Sequence, residues 1–188
     1  AYSLFDSATA IAKPLGYTTR MGWMAFARQR PLRGLQLSAS VTYSRGTLEG
    51  PPPPTADNPT PGEKKGDLIP YIPPWVARVD AGYRRNLLKL RGHPLRGRLG
   101  LGYSYLSRRP LPYSQWGDPV SLLDLSASLQ YRFVTLKLEV TNALDRRWHD
   151  MELNFISQWD PDVQTALPQR HVVTGAPRTF LASLILHL

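Results

Sequence analysis

The chain has 188 residues, 42% hydrophobic and 20% charged, with a formal net charge of +9 and no cysteine. Without cysteine, neither a disulfide framework nor a thiolate metal site is available, and no run approaches the ~18 apolar residues of a transmembrane helix. The basic excess raises nucleic acid or an anionic membrane surface as partners, yet the cations gather where strands end, at Arg28, Arg30 and Arg33 and from Arg84 to Arg98.

The first residues, Ala1-Tyr2-Ser3-Leu4, lack a basic segment followed by an apolar one. The sequence therefore reads as a fragment, or as a chain without its export signal. Alternation of apolar and polar residues is weakest over 2–12 and weak over 18–28. It becomes regular at Leu35, Leu37, Ala39, Val41 and Tyr43, where every intervening side chain is polar. Successive side chains of a strand point to opposite faces, so this segment is a strand with one apolar face. The pattern recurs at Trp75, Ala77, Val79, Ala81 and Tyr83, and at Leu99, Leu101, Tyr103 and Tyr105. It returns from Leu123 to Phe133, from Val134 to Val140, and from Phe180 to Leu188. The expectation is seven or eight strands and no helix.

Short connections are expected at Pro31-Leu32-Arg33-Gly34, from Asn86 to Pro94, and at Phe133-Val134. Long ones run over 46–73, 107–119 and 143–177. The first contains Pro51-Pro52-Pro53-Pro54, which cannot form a ladder. Tight turns at one end and long loops at the other is the layout of an outer-membrane barrel.

A soluble antiparallel sandwich would also alternate. Three features favour the membrane. Segments 35–45, 73–84, 95–106 and 120–132 reach the ~9–11 residues a spanning strand needs. The non-apolar face carries charges, which a watery lumen accommodates; Arg78, Asp80, Asp124, Gln130, Lys137 and Glu139 are the expected lumen-facing residues. Aromatics mark the ends of the apolar face, with Trp75 and Tyr83 bounding one strand, as rings at two headgroup levels would. The fold class is all-β: antiparallel transmembrane β-barrel strands.

Val140-Thr141-Asn142-Ala143-Leu144-Asp145-Arg146-Arg147-Trp148 resembles a segment near the end of TonB-dependent outer-membrane receptors, and Gly175-Ala176-Pro177-Arg178-Thr179-Phe180-Leu181-Ala182-Ser183-Leu184 resembles their last-strand motif. Ile69-Pro70-Tyr71-Ile72-Pro73-Pro74-Trp75 is similar to their loop-to-strand entry. The sequence departs from the pattern at Ala143, Leu144 and Trp148 and in ending on Leu188. The resemblance implies that 1–188 is the C-terminal portion of a larger barrel, with no plug domain, signal peptide or energy-coupling box in view. It also implies nutrient uptake, as of a ferric siderophore, with the long connections extracellular and the energy-coupling complex TonB acting through an N-terminal part.

No catalytic constellation is legible: there is no Gly-x-Ser-x-Gly, His-Glu-x-x-His or phosphate loop. His149-Asp150-x-Glu152 is read as a solvated loop in preference to a metal site, and Arg84 to Arg98 as a charged turn in preference to a nucleic-acid surface. No cofactor is expected. Binding is expected in the loops, where Arg108, Arg109, Tyr113, Trp116, Arg146, Arg147, Trp148, His149 and Trp159 offer charge and stacking to a ligand. Other expected partners are outer-membrane lipid and lipopolysaccharide. Two alternatives stand beside the transporter: a self-contained eight-stranded barrel with a structural or adhesive role, and a soluble all-β binding module.

Overall fold

A computed structural model describes residues 3–6, 9–14, 16–56, 61–162 and 165–187. In chain order the strands are β1 (Ser3–Asp6), β2 (Ile11–Pro14), β3 (Thr18–Gln29), β4 (Leu35–Leu48), β5 (Trp75–Leu90), β6 (His93–Leu106), β7 (Pro110–Leu111), β8 (Gln115–Trp116), β9 (Val120–Tyr131), β10 (Val134–Thr141), β11 (His149–Asp160), β12 (Thr165–Thr174) and β13 (Thr179–Leu186). Seven of them form one antiparallel sheet in the order β13-β10-β9-β6-β5-β4-β3. Three hairpins stand apart from it: β1–β2, β7–β8 and β11–β12.

Local chemistry fixes the tight turns. β5 and β6 meet through Arg91-Gly92, whose φ values of 46° and 80° suit the two-residue turn that matches strand twist. β9 and β10 meet through Arg132-Phe133, with φ of 50° at Arg132. Between β3 and β4, Gly34 adopts φ of 88°, and a Cβ there would collide with the carbonyl of Arg84. Only glycine allows that approach, and the Arg84 N–H donates to the Gly34 carbonyl at 2.8 Å.

Register decides what each face holds, because paired residues lie on the same side of the sheet. Trp23, Tyr43 and Trp75 are cross-strand neighbours, as are Val79, Ala39 and Tyr103, and Leu101, Leu125 and Val140. The apolar face thus runs unbroken from β3 to β13. It is also exposed: Leu99 is 61% accessible, Leu138 49% and Leu184 68%. The described apolar residues that are buried, Leu48, Ile69, Leu111 and Val120, lie at the loop end and not under the sheet. A water-soluble fold would cover such a face. An outward-facing apolar band of this kind is what a membrane-spanning strand wall presents.

Aromatic rings mark the boundaries. Trp23, Tyr43 and Trp75 form a contact group, with Tyr43 and Trp75 centroids 4.8 Å apart and Trp23 and Trp75 5.7 Å apart. From Trp75 to Tyr83 the strand covers about 27 Å, which at a tilt of about 40° rises roughly 21 Å, most of an apolar band about 25 Å tall. The opposite face is concave and polar, lined by residues such as Gln36, Ser38, Arg78, Asp80, Ser126 and Glu139.

Several expectations are corrected. The segment from Asn86 to Pro94 is not a turn: β5 continues to Leu90 and only Arg91 and Gly92 reverse the chain. The loop at 143–177 contains a long hairpin, β11–β12. The strand expected over 2–12 falls partly outside the described residues; its described parts make β1 and β2, which pair with each other and not with the sheet. No pairing closes β3 onto β13 among the described residues, so an eight-stranded self-closing barrel is not what forms.

Candidate functional site

The loop end is built around Asn142, directly after β10 and 4% exposed. Its φ of 49° turns the chain away from the sheet, a conformation asparagine tolerates better than most residues. Its N–H donates to Asp124 Oδ1 at 3.0 Å. Its side-chain nitrogen donates to the carbonyls of Arg146 (2.8 Å) and Ala176 (3.2 Å), while its Oδ1 accepts from Arg146 N–H (3.0 Å). Trp148 Nε1–H also donates to the Ala176 carbonyl, at 3.0 Å. Asp145 reaches the Arg178 N–H (3.2 Å) and its guanidinium (3.5 Å). The two segments read as family-like motifs, around 142–148 and 175–178, are thereby clasped together.

A second cluster ties β11–β12 to the loop between β6 and β9. Glu152 is buried, with a fully covered side chain. Arg109 Nη2 lies 3.0 Å from its Oε2, His149 Nδ1 2.9 Å from its Oε1, and the Asp118 N–H donates to Oε2 at 3.1 Å. Arg170 bridges Glu152 and Asp118, the latter at 2.6 Å. Gly117 makes the room, since a Cβ there would strike Glu152 and approach Arg109. Burial pushes the Glu152 carboxyl up, but the bonds from His149, the Asp118 N–H and Arg170 together hold it below the usual carboxylate range. Nearby, Asn154 Nδ2 donates to the Pro112 carbonyl at 2.8 Å, and the Tyr71 N–H to that of Pro110 at 2.7 Å.

His149, Asp150 and Glu152 are therefore not a solvated loop: they open β11, and Glu152 is buried. Ligand atoms of Asp118, His149 and Glu152 lie within 4.8 Å of one another. Two guanidinium groups already occupy those carboxylates, so an entering cation would have to displace Arg109 and Arg170. The cluster is a charge-balanced tether.

The nine loop residues fall into two groups. Arg109, Trp148 and His149 direct their polar atoms to partners inside the protein, and Tyr113 is half-buried. Arg108, Arg146 and Arg147 are exposed, as are Trp116 (43%) and Trp159 (63%). Arg78, Asp80, Asp124, Gln130, Lys137 and Glu139 share the polar face by register. There Arg78 pairs with Asp80 at 2.7 Å and Lys137 with Glu139 at 2.8 Å. Asp118 and Glu152 were missed as partners because they lie far apart in sequence and meet only across the loops.

A sheet with an exposed apolar face, a polar concave face and clasped loops at one end is the wall of a transmembrane β-barrel. The family described as TonB dependent receptor-like, beta-barrel, matches residues 8–143, and the chain belongs to that family. It is a family of transporters of the Gram-negative outer membrane, not of enzymes. None of the curated proteins and none of the solved structures matches the chain. The matched region ends at Ala143, so the clasp to 175–178 is a feature of the structure beyond it.

Proposed function

We propose that the chain is barrel wall of an outer-membrane importer that takes up a scarce nutrient, such as a ferric siderophore, in a Gram-negative bacterium. The observation that carries this is the continuity between the polar concave face and a loop end held in place by Asn142 and Glu152. On this reading Arg108, Trp116, Arg146, Arg147 and Trp159 meet an anionic or aromatic ligand, while Arg109, Tyr113, Trp148 and His149 set the loops. Arg78, Asp80, Asp124, Gln130, Lys137 and Glu139 line the lumen, and lipid and lipopolysaccharide cover the outer face. Energy reaches the barrel from TonB through an N-terminal part.

Uptake of radiolabelled iron chelates by cells carrying the gene tests this. Deleting the gene, or deleting TonB, should abolish accumulation of the same chelate. Accumulation that survives loss of TonB would overturn the proposal.

A further inference from the structure

The net charge is not spread over the molecule. Segments 28–34, 84–98 and 130–133, which form the tight-turn end, hold ten of the 23 basic residues and none of the 14 acidic ones. The remaining 13 basic and 14 acidic residues nearly cancel, so the turn end supplies the whole positive excess. All ten cations are exposed. No hydrogen bond or ion pair engages their side chains among the described residues; Arg28 has a ring contact with Phe26 at 5.5 Å.

The apolar face continues into the same region. β5 runs past its last β4 partner, at Leu35–Tyr83, to the Leu90–His93 pair. A bulge between Asn86 and Leu88 resets the register there. Leu87 packs over Gly97, where a Cβ would come within 2.9 Å of it. Leu87, Leu88, Leu90 and Phe133 are 53%, 50%, 45% and 54% exposed. Apolar side chains thus lead down to a rim of cations, with Tyr83 and Tyr131 at the boundary.

We propose that the turn end docks on anionic phospholipid headgroups, with Arg33, Arg85, Lys89, Arg91 and Arg132 contacting their phosphates. This rests on the reading of the sheet as a membrane wall. The apolar surface beside the cations selects lipid over an acidic protein. The leucines extend the apolar face beyond Tyr83, and Arg85, which register places on that same face opposite Gly97, has a side chain long enough to carry its charge from an apolar surface up to the headgroup level. The loop end, near neutrality, lacks this preference.

The test reconstitutes the whole receptor that carries this chain into phosphatidylcholine vesicles with and without phosphatidylglycerol, and identifies lipids retained on mild extraction by native mass spectrometry. Retained phosphatidylglycerol should exceed its bulk proportion by on the order of fivefold, the factor one cation supplies near an anionic surface. Combined Arg33→Gln, Arg85→Gln, Arg91→Gln and Arg132→Gln should bring retention to the bulk proportion, and Arg→Lys at the same positions should keep it. A loop-end control, Arg20→Gln, Arg45→Gln, Lys64→Gln and Lys65→Gln, should leave it unchanged. Equal loss in both Gln variants, retention in the turn-end Gln variant, or full displacement by inorganic phosphate would each overturn the proposal. Insertion without enrichment overturns this proposal alone. A whole receptor that inserts into neither vesicle overturns the membrane-wall reading with it.

Discussion

Trp148 packs so closely on Gly175 that a Cβ at position 175 would lie within the indole ring. The Gly175 N–H in turn donates to the Trp148 carbonyl at 2.9 Å. The pair closes the clasp between the segment after β10 and the start of β13. Gly175→Ala should therefore cost about 1–3 kcal/mol by overpacking. Trp148→Phe should cost about 0.5–1.5 kcal/mol through the lost bond to Ala176. Thermal unfolding of the detergent-solubilised protein checks both, and an unchanged midpoint for Gly175→Ala would show that the ring has room to move.

Glu152→Gln keeps the shape and removes the charge that Arg109 and Arg170 share. Breaking a buried pair at one partner costs about 3–5 kcal/mol, here confined to the junction of β11–β12 with the loop carrying Asp118. Hydrogen exchange should accelerate in β11 and β12 while β9 and β10 stay protected. Uniform acceleration across the sheet would contradict a local tether.

The same carboxylate sets a pH dependence. Its folded-state pKa is depressed, so its contribution is fully present above the unfolded value of about 4.3. It is lost as the pH falls through the lower, folded value. Protection of β11–β12 should hold at neutral pH and decline only in that acidic window. The Glu152→Gln variant should lack this step. A step in the variant at the same pH would assign it to another group.

Asn142→Asp retains an acceptor for the Arg146 N–H but loses both donated bonds, to Arg146 and Ala176. It also sets a carboxylate close to Asp124, which binds the Asn142 N–H. Each buried group left unsatisfied costs about 1–3 kcal/mol, so this variant should be among the least stable. A melting midpoint equal to the parent's would remove Asn142 from its central place.

Arg84 stands directly opposite Arg98 on the polar face, and like charges in that position destabilise a strand pair. Arg98→Glu should stabilise by about 0.2–1 kcal/mol, an effect that salt weakens. A lower midpoint at low salt would mean that an unseen anion already compensates the pair.

How much of this was readable follows from where contrast exists. β4, β5, β6, β9 and β10 each carry an apolar face and a polar one, and Leu35 to Tyr43 declares a strand by itself. β11 has no such contrast, because both of its sides stand in the loop region. Two register shifts, at His149/Met151 and Ile156/Gln158, further interrupt its alternation, although Met151, Leu153 and Phe155 carried a detectable trace. Arg84 to Arg98 was hidden by charge: arginines suggest a turn, yet the polar face of a barrel accepts them within a strand. The importance of Asn142 could be seen from its motif, but that of Asp118 and Arg170 could not. Their partnership spans 52 residues and exists only once three loops have met.

A molecule with its entire charge excess at one end of its strands is an axial electric dipole. In open buffer the surrounding ions would erase that polarity within about 8 Å. On a face covered by hydrocarbon, where such ions are absent, the polarity is not erased, and its positive end lies toward the tight turns. The charge distribution therefore distinguishes the two ends of the wall before any ligand, loop movement or energy source is considered.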